Sequence, residues 1–134
     1  FSCTSKSKKN VLRGMHIQTK KAQGKFVSVL KGSILDVAID LRRSSKTFGK
    51  HFKVILSDKN GKSILIPPGF AHGFLALEKE NIVHYYNTNY RSKNHELGLI
   101  WNDKEIGIEW PIEPLFISDK DKNNPAFDSS IHKF

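Results

Sequence analysis

Apolar and polar residues alternate along most of this chain, and the alternation breaks at short clusters of Gly, Pro, Asn and Ser. A period of two sends successive side chains to opposite faces of a strand, so each alternating run predicts a β-strand. Lys25 to Gly32 (KFVSVLKG) and Ile34 to Arg42 (ILDVAIDLR) are β-branched runs of this kind, and Lys31-Gly32 predicts a tight turn between them. In the second run Leu35, Val37, Ile39 and Leu41 share one face, and Asp36, Ala38 and Asp40 share the other. HFKVILS repeats the pattern with Phe52, Val54 and Leu56, and SDKNGK reads as a hairpin loop after it. SILIPPGFAHGFLAL and NIVHYYNTNY supply further strands. Helical periodicity is almost absent; only KDKNNPAFDSSIHKF, from Lys120, has room for a short C-terminal turn or helix. Many short strands between turn clusters predict an all-β domain, an antiparallel sandwich or barrel.

The 134 residues suit one domain covering positions 1–134. The chain starts at Phe1 without a methionine, so a segment upstream is expected. With 38% hydrophobic and 26% charged residues the composition is that of a folded chain, not a disordered one. No apolar run approaches the roughly 20 residues of a membrane span. A single cysteine, Cys3, excludes an internal disulfide framework and fits a reducing cytoplasm. The formal charge of +9 favours an anionic partner: nucleic acid, a phosphorylated small molecule or a membrane surface. Lys6, Lys8 and Lys9 read as a solvated arm.

Two segments place polar chemistry where a strand should be apolar. In VLRGMHIQ, Arg13 and His16 sit inside a run that otherwise reads as core, and burying a charge is costly unless something compensates. Either both are solvated by their position, or they face a cavity that uses them. In IPPGFAHGF, two prolines and a glycine force a rigid turn that delivers His72 to the start of the next strand. Tyr85, Tyr86 and Tyr90 read first as packing residues. Asp36 and Asp40, if their face lines a barrel interior, need partners such as imidazoles. A metal centre is disfavoured, because Gln18 stands where a second ligand two residues beyond His16 would be, and His16 with His72 is too few. No phosphate loop, nucleophile elbow or paired-cysteine motif occurs.

Five ordered blocks carry a resemblance: VLRGMHIQ, AQGKFVSVLKGSILDVAIDLRRSSKTFGK, IPPGFAHGFLAL, WNDKEIGIEWP and ISDKD. Together they resemble the dTDP-4-dehydrorhamnose 3,5-epimerase family from Val11 to Asp121. The resemblance implies a cupin-type jelly roll, a cytoplasmic homodimer that exchanges N-terminal strands, and catalysis with neither cofactor nor metal. It implies no nucleic-acid or membrane partner, and a dTDP-4-keto-6-deoxy sugar as substrate. By position, His16 matches the family's general base, Asp121 the carboxylate that orients it, and Tyr85 the acid on the opposite face of the sugar. Lys25 and His72 match residues near the keto oxygen, and Asp36 the partner of His72. Arg13, Glu96 and Lys120 match substrate-binding positions. Arg91 stands where members commonly carry an aromatic that stacks on thymine, and a guanidinium can stack as well. Members usually extend further upstream, so strands before Phe1 are expected.

The implied chemistry is coherent with these residue types. A 4-keto sugar has acidic C–H bonds at C3 and C5, but imidazole ionises them only if the enolate is stabilised, which Lys25 and His72 can supply. Inversion then needs a proton from the other face, and a tyrosine can give it. The alternatives are an epimerase acting at C3 or C5 alone, or a sugar-nucleotide-binding cupin without turnover.

Overall fold

The computed structural model describes residues 1–134. Ten strands follow in order: β1 (Ser2–Lys8), β2 (Val11–Gln18), β3 (Lys25–Lys31), β4 (Ser33–Asp40), β5 (His51–Ser57), β6 (Ser63–Ile66), β7 (Phe70–Ala76), β8 (Glu80–Asn87), β9 (Glu96–Gly98) and β10 (Phe116–Ile117). They form two sheets, one ordered β1-β8-β3-β6 and the other β10-β2-β7-β4-β5, with β9 also paired to β2. All pairings are antiparallel except β10 with β2. This is the all-β architecture that the alternation predicts, in the jelly-roll form that the resemblance implies. The one α-helix, α1 (Asp119–Lys122), is a single turn whose first N–H groups need a partner; the Ser118 hydroxyl accepts from the Asp121 N–H at 3.2 Å.

Two turns behave differently from their sequence signals. Lys31-Gly32 and SDKNGK were expected to close hairpins, yet β3 and β6 lie in one sheet while β4 and β5 lie in the other. Each turn is therefore a corner that carries the chain between sheets. Gly32 makes the first corner with φ +86°, and a Cβ there would run into the Glu80 carbonyl. Local composition specifies that the chain turns; which strand receives it is settled by packing. The basic arm is also a correction. It folds as β1 along β8, from Ser2 opposite Tyr86 to Lys8 opposite Glu80, with its lysines exposed.

The core divides in two. Val27, Val29, Ile34, Ala38, Leu56, Ile66, Phe74 and Val83 fill the space between the sheets. Leu35, Val37, Ile39 and Leu41 lie in the second cluster, packed with Trp101, Trp110 and Phe127 from the C-terminal third. The six-stranded sheet is thus covered on both faces, and the Asp36 face of β4 turns inward. Fully burying one such aliphatic or aromatic side chain contributes roughly 1.5–3 kcal/mol. Phe52, expected inside by alternation, is instead 58% exposed. The four-stranded sheet is covered on one face only, and its outer side leaves Phe26, Leu30, Leu65 and Tyr86 exposed.

Asp40 is buried but finds no imidazole. Arg42 donates to it from Nε and Nη2, each at 3.0 Å, and the Ser45 and Thr47 hydroxyls donate as well. Burial opposes ionisation of this carboxyl, and those hydrogen bonds outweigh it, holding Asp40 well below the usual carboxylate range. A depressed folded value means the contribution is complete above the unfolded value near pH ~4 and is lost as pH falls through the folded one. Urea melts across that acid range should show a flatter loss of stability in Asp40→Asn than in the wild type. Parallel curves for the two proteins would remove Asp40 from the account.

Candidate active site

Arg13 and His16 are three residues apart, and on a regular strand such residues point to opposite faces. Both nevertheless line one cavity. The register of β2 against β7 shows how: Arg13 lies opposite Phe74, His16 lies opposite His72, and a bulge falls between. Gly14 and Gly73 make room for it. A Cβ on Gly14 would stand 2.7 Å from the Gly73 Cα, and Gly14 also has φ +117°. The bulge thus turns two residues of opposite parity toward one space.

That space is a cavity of about 410 Å³, within the usual range for small-molecule sites. It lies between the sheets. Arg13, His16 and His72 come from β2 and β7 of the six-stranded sheet, while Lys25 and Tyr85 come from β3 and β8 of the four-stranded one. Val27 pairs with Tyr85, which sets Lys25 diagonally beside the tyrosine on the same face. Glu96, Lys120, Asp121 and Arg91 complete the lining from the C-terminal half. Of the ten residues singled out from the sequence, nine line the cavity. The tenth, Asp36, sits fully buried behind His72.

The two histidines are held alike. His16 donates from Nε2 to Asp121 Oδ1 at 2.6 Å, and His72 donates from Nε2 to Asp36 Oδ2 at 2.7 Å. A carboxylate acceptor fixes the Nε2–H tautomer and leaves Nδ1 with its lone pair. Asp121 also accepts the Gly14 N–H at 3.1 Å through Oδ2. Burial opposes its ionisation, but the His16 bond and charge and the Gly14 N–H outweigh it, so Asp121 stays below its ordinary value. Asp36 Oδ1 has no hydrogen-bond partner. Desolvation pulls the Lys25 ammonium below its ordinary value, and the charges of Asp36 and Glu96 oppose that fall.

Tyr85 is the counterpart on the other wall. Burial raises its phenol to about 12, although the Ser5 hydroxyl and the Arg13 charge pull the other way. The hydroxyl is therefore protonated at neutral pH. At the rim, Arg91 donates to Glu96 through Nε and Nη2, and Lys120 donates to the same carboxylate at 3.2 Å. Burial disfavours the Glu96 anion, and these two cations outweigh it, holding the group below its usual value. No cluster of three or more His, Cys, Asp and Glu side chains is placed to hold a metal ion. Tyr86, read first as a packing residue, is exposed on the outer sheet face, where its ring makes a T-shaped contact with His84.

The sequence left Ser5 and Ser7 unremarked. Ser5 Oγ lies 3.1 Å from the Tyr85 hydroxyl, and Ser7 Oγ accepts from Arg13 Nε at 3.1 Å. Their alternation with Lys6 and Lys8 in SKSK was the available signal: Cys3, Ser5 and Ser7 share one small-residue face of a strand, and the lysines take the other.

The family model for dTDP-4-dehydrorhamnose 3,5-epimerase matches residues 2–129 of this chain. The chain belongs to that family. It is 50% identical over 122 residues to the dTDP-4-dehydrorhamnose 3,5-epimerase of Methanothermobacter thermautotrophicus, covering 89% of this chain and 66% of that protein. Against the Shigella flexneri enzyme of the same name it is 49% identical over 124 residues, covering 92% of this chain and 68% of the relative. The chain thus spans about two thirds of the length of these curated epimerases. Among solved structures, the dTDP-6-deoxy-D-glucose-3,5-epimerase of Legionella pneumophila Philadelphia 1, in complex with dTDP-4-keto-L-rhamnose, superposes with a TM-score of 0.92. It is 39% identical, and the match covers 98% of this chain and 69% of that one. The epimerase-family fold therefore extends over nearly all of the residues described.

Proposed function

We propose that this chain inverts C3 and C5 of a dTDP-4-keto-6-deoxyhexose, converting dTDP-4-dehydro-6-deoxyglucose to dTDP-4-dehydro-L-rhamnose. The observation that carries this is the placement of a carboxylate-held imidazole and a protonated phenol on opposite sheets across one cavity. His16 Nδ1 removes the proton from a carbon beside the keto group, breaking the C–H bond. The electron pair moves into the carbonyl, forming an enolate whose oxygen meets the Lys25 ammonium. Asp121 supports the imidazolium that results. Tyr85 then gives its proton to the opposite face of the same carbon, His16 releases its proton to solvent while Tyr85 regains one, and the cycle repeats at the second carbon. Arg13 and Lys120 suit the diphosphate, and the +9 chain draws in an anionic substrate. Binding alone would not require Tyr85 opposite His16.

Incubation with dTDP-4-keto-6-deoxyglucose in D2O, read by NMR, tests the assignment. Deuterium with inversion at both C3 and C5 is expected, and turnover should survive EDTA treatment that leaves the protein metal-free. Label at one carbon only would make it a single-site epimerase, and tight binding without label would make it a binder. Loss on chelation, restored by one divalent ion, would overturn the metal-free mechanism.

The same reading takes residues 1–134 as one domain that works as a homodimer in the cytoplasm. Phe26, Leu30, Leu65 and Tyr86 on the bare sheet face, at 40–72% exposure, support the dimer. No helix is long and apolar enough to cross a membrane. Light scattering should give twice the 15.3 kDa chain mass, and Leu65→Glu should halve it. A wild-type monomer at all concentrations would count against this assembly.

A further inference from the structure

Strand β1 reaches into the site without contributing to its obvious machinery. Ser5 is half-buried, and its hydroxyl oxygen stands 3.1 Å from the Tyr85 hydroxyl. The next inward residue, Ser7, is buried and accepts from Arg13, while Asn81 Nδ2 holds the Ser7 carbonyl at 3.1 Å. Register fixes the arrangement, with Cys3 opposite Tyr85 and Ser5 opposite Val83 along β8. β1 is therefore locked where its serines meet two site residues.

We propose that Ser5 is a positioning residue for Tyr85, aiming the phenol into the cavity and donating to its oxygen as the proton departs. This rests on the epimerase reading above. In the resting site the contact is longer than the ~2.7–2.8 Å typical of a hydroxyl pair. When Tyr85 breaks its O–H bond to form the new C–H bond, the phenolate oxygen carries the charge. A hydrogen bond to a charged oxygen is shorter and about twice as strong as a neutral one. The interaction is thus strongest once the proton has moved, and an interaction that strengthens in the transition state raises turnover and leaves substrate affinity alone. The direction of the electrostatics agrees, because the Ser5 bond lowers a phenol that burial otherwise raises. The Arg13 charge acts in the same direction as the Ser5 bond. Tyr85 returns to the phenol by taking a proton from solvent, which closes the cycle.

Ser5→Ala, Ser5→Thr and the wild-type chain, each assayed in D2O with dTDP-4-keto-6-deoxyglucose, test this. In Ser5→Ala kcat for inversion should fall roughly 10- to 100-fold with KM little changed, the loss of one charge-assisted bond. Deuterium uptake with retained configuration should persist, since His16 and Lys25 are untouched. Ser5→Thr keeps the hydroxyl and should restore inversion. A merely structural role would lower exchange and inversion together, and that result overturns the proposal, as does a wild-type kcat in Ser5→Ala. Substrate-free 13C NMR of Cζ-labelled tyrosine, with Tyr85 assigned through Tyr85→Phe, reads the contact apart from turnover. Its resonance should shift in Ser5→Ala, and an unmoved resonance overturns the contact. If the wild type neither exchanges nor inverts while the resonance shifts, the epimerase reading has failed and the catalytic role of Ser5 falls with it.

Discussion

Replacing His16 by alanine should abolish solvent exchange and inversion together, at C3 and at C5. No other carboxylate-held imidazole is as open to the cavity: the His16 side chain is 31% exposed, against 5% for His72. The base is needed before any enolate exists, so nothing downstream can compensate. Loss of a positioned general base costs ~100- to 10,000-fold. The substitution also strands Asp121, which is left with the Gly14 N–H and loses the imidazole that holds it ionised. Its carboxyl should therefore titrate higher, and stability near neutral pH should drop. A depressed carboxylate contributes above its unfolded value, and that contribution shrinks as the folded value climbs back. Circular dichroism melts separate this cost from the kinetic one. A folded His16→Ala that still takes up deuterium at either carbon would move the base elsewhere.

Tyr85→Phe should fail in another way. The change removes one hydroxyl and leaves His16, Asp121 and Lys25 in place, so the enolate still forms. With no acid on the far wall, His16 returns a deuteron to the face from which it took the proton. The product of long incubation is substrate labelled beside the keto group with configuration retained, and inversion falls by a factor on the order of 100 or more. Phe at this position keeps the ring packed beside the inter-sheet core, so the loss of Ser5's partner is the main structural change. If Tyr85 were only packing, inversion would continue at close to the wild-type rate. Proton NMR of the sugar ring, followed against time in D2O, distinguishes the two outcomes directly.

Much of the molecule was legible along the chain. Alternation identified the main strands, and the family resemblance drew attention to ten residues that the fold gathers at one cavity and its supporting shell. Period-two patterning is a local property: it states which side chains share a face, because the pleat allows nothing else. The polar residues of the site are legible for a related reason. Arg13, His16, His72 and Asp36 break apolar runs, and a folded chain tolerates such breaks only where partners or a cavity compensate.

Which face meets which neighbour was not written there. Leu35, Val37, Ile39 and Leu41 form the more apolar face of β4, yet they pack under the C-terminal segment, and the face with Asp36 turns into the sandwich. Hydrophobicity alone would turn that face into the sandwich; the covering Trp101 and Trp110, distant in sequence, bury it on the other side of the sheet. Lys31-Gly32 and SDKNGK fixed where the chain bends, but the sheet that each following strand joins depends on pairings with strands far away. Arg13 and His16 have opposite parity, so only the bulge packed between Gly14 and Gly73 brings them to one cavity. The contact from Ser5 to Tyr85 spans 80 positions and exists because β1 is zipped along β8. Local patterning supplied the main strands, the bends and the chemistry available. The tertiary structure decided the sheet partners, the covered faces and the aim of each side chain, because those rest on long-range hydrogen bonding and packing that no local period encodes.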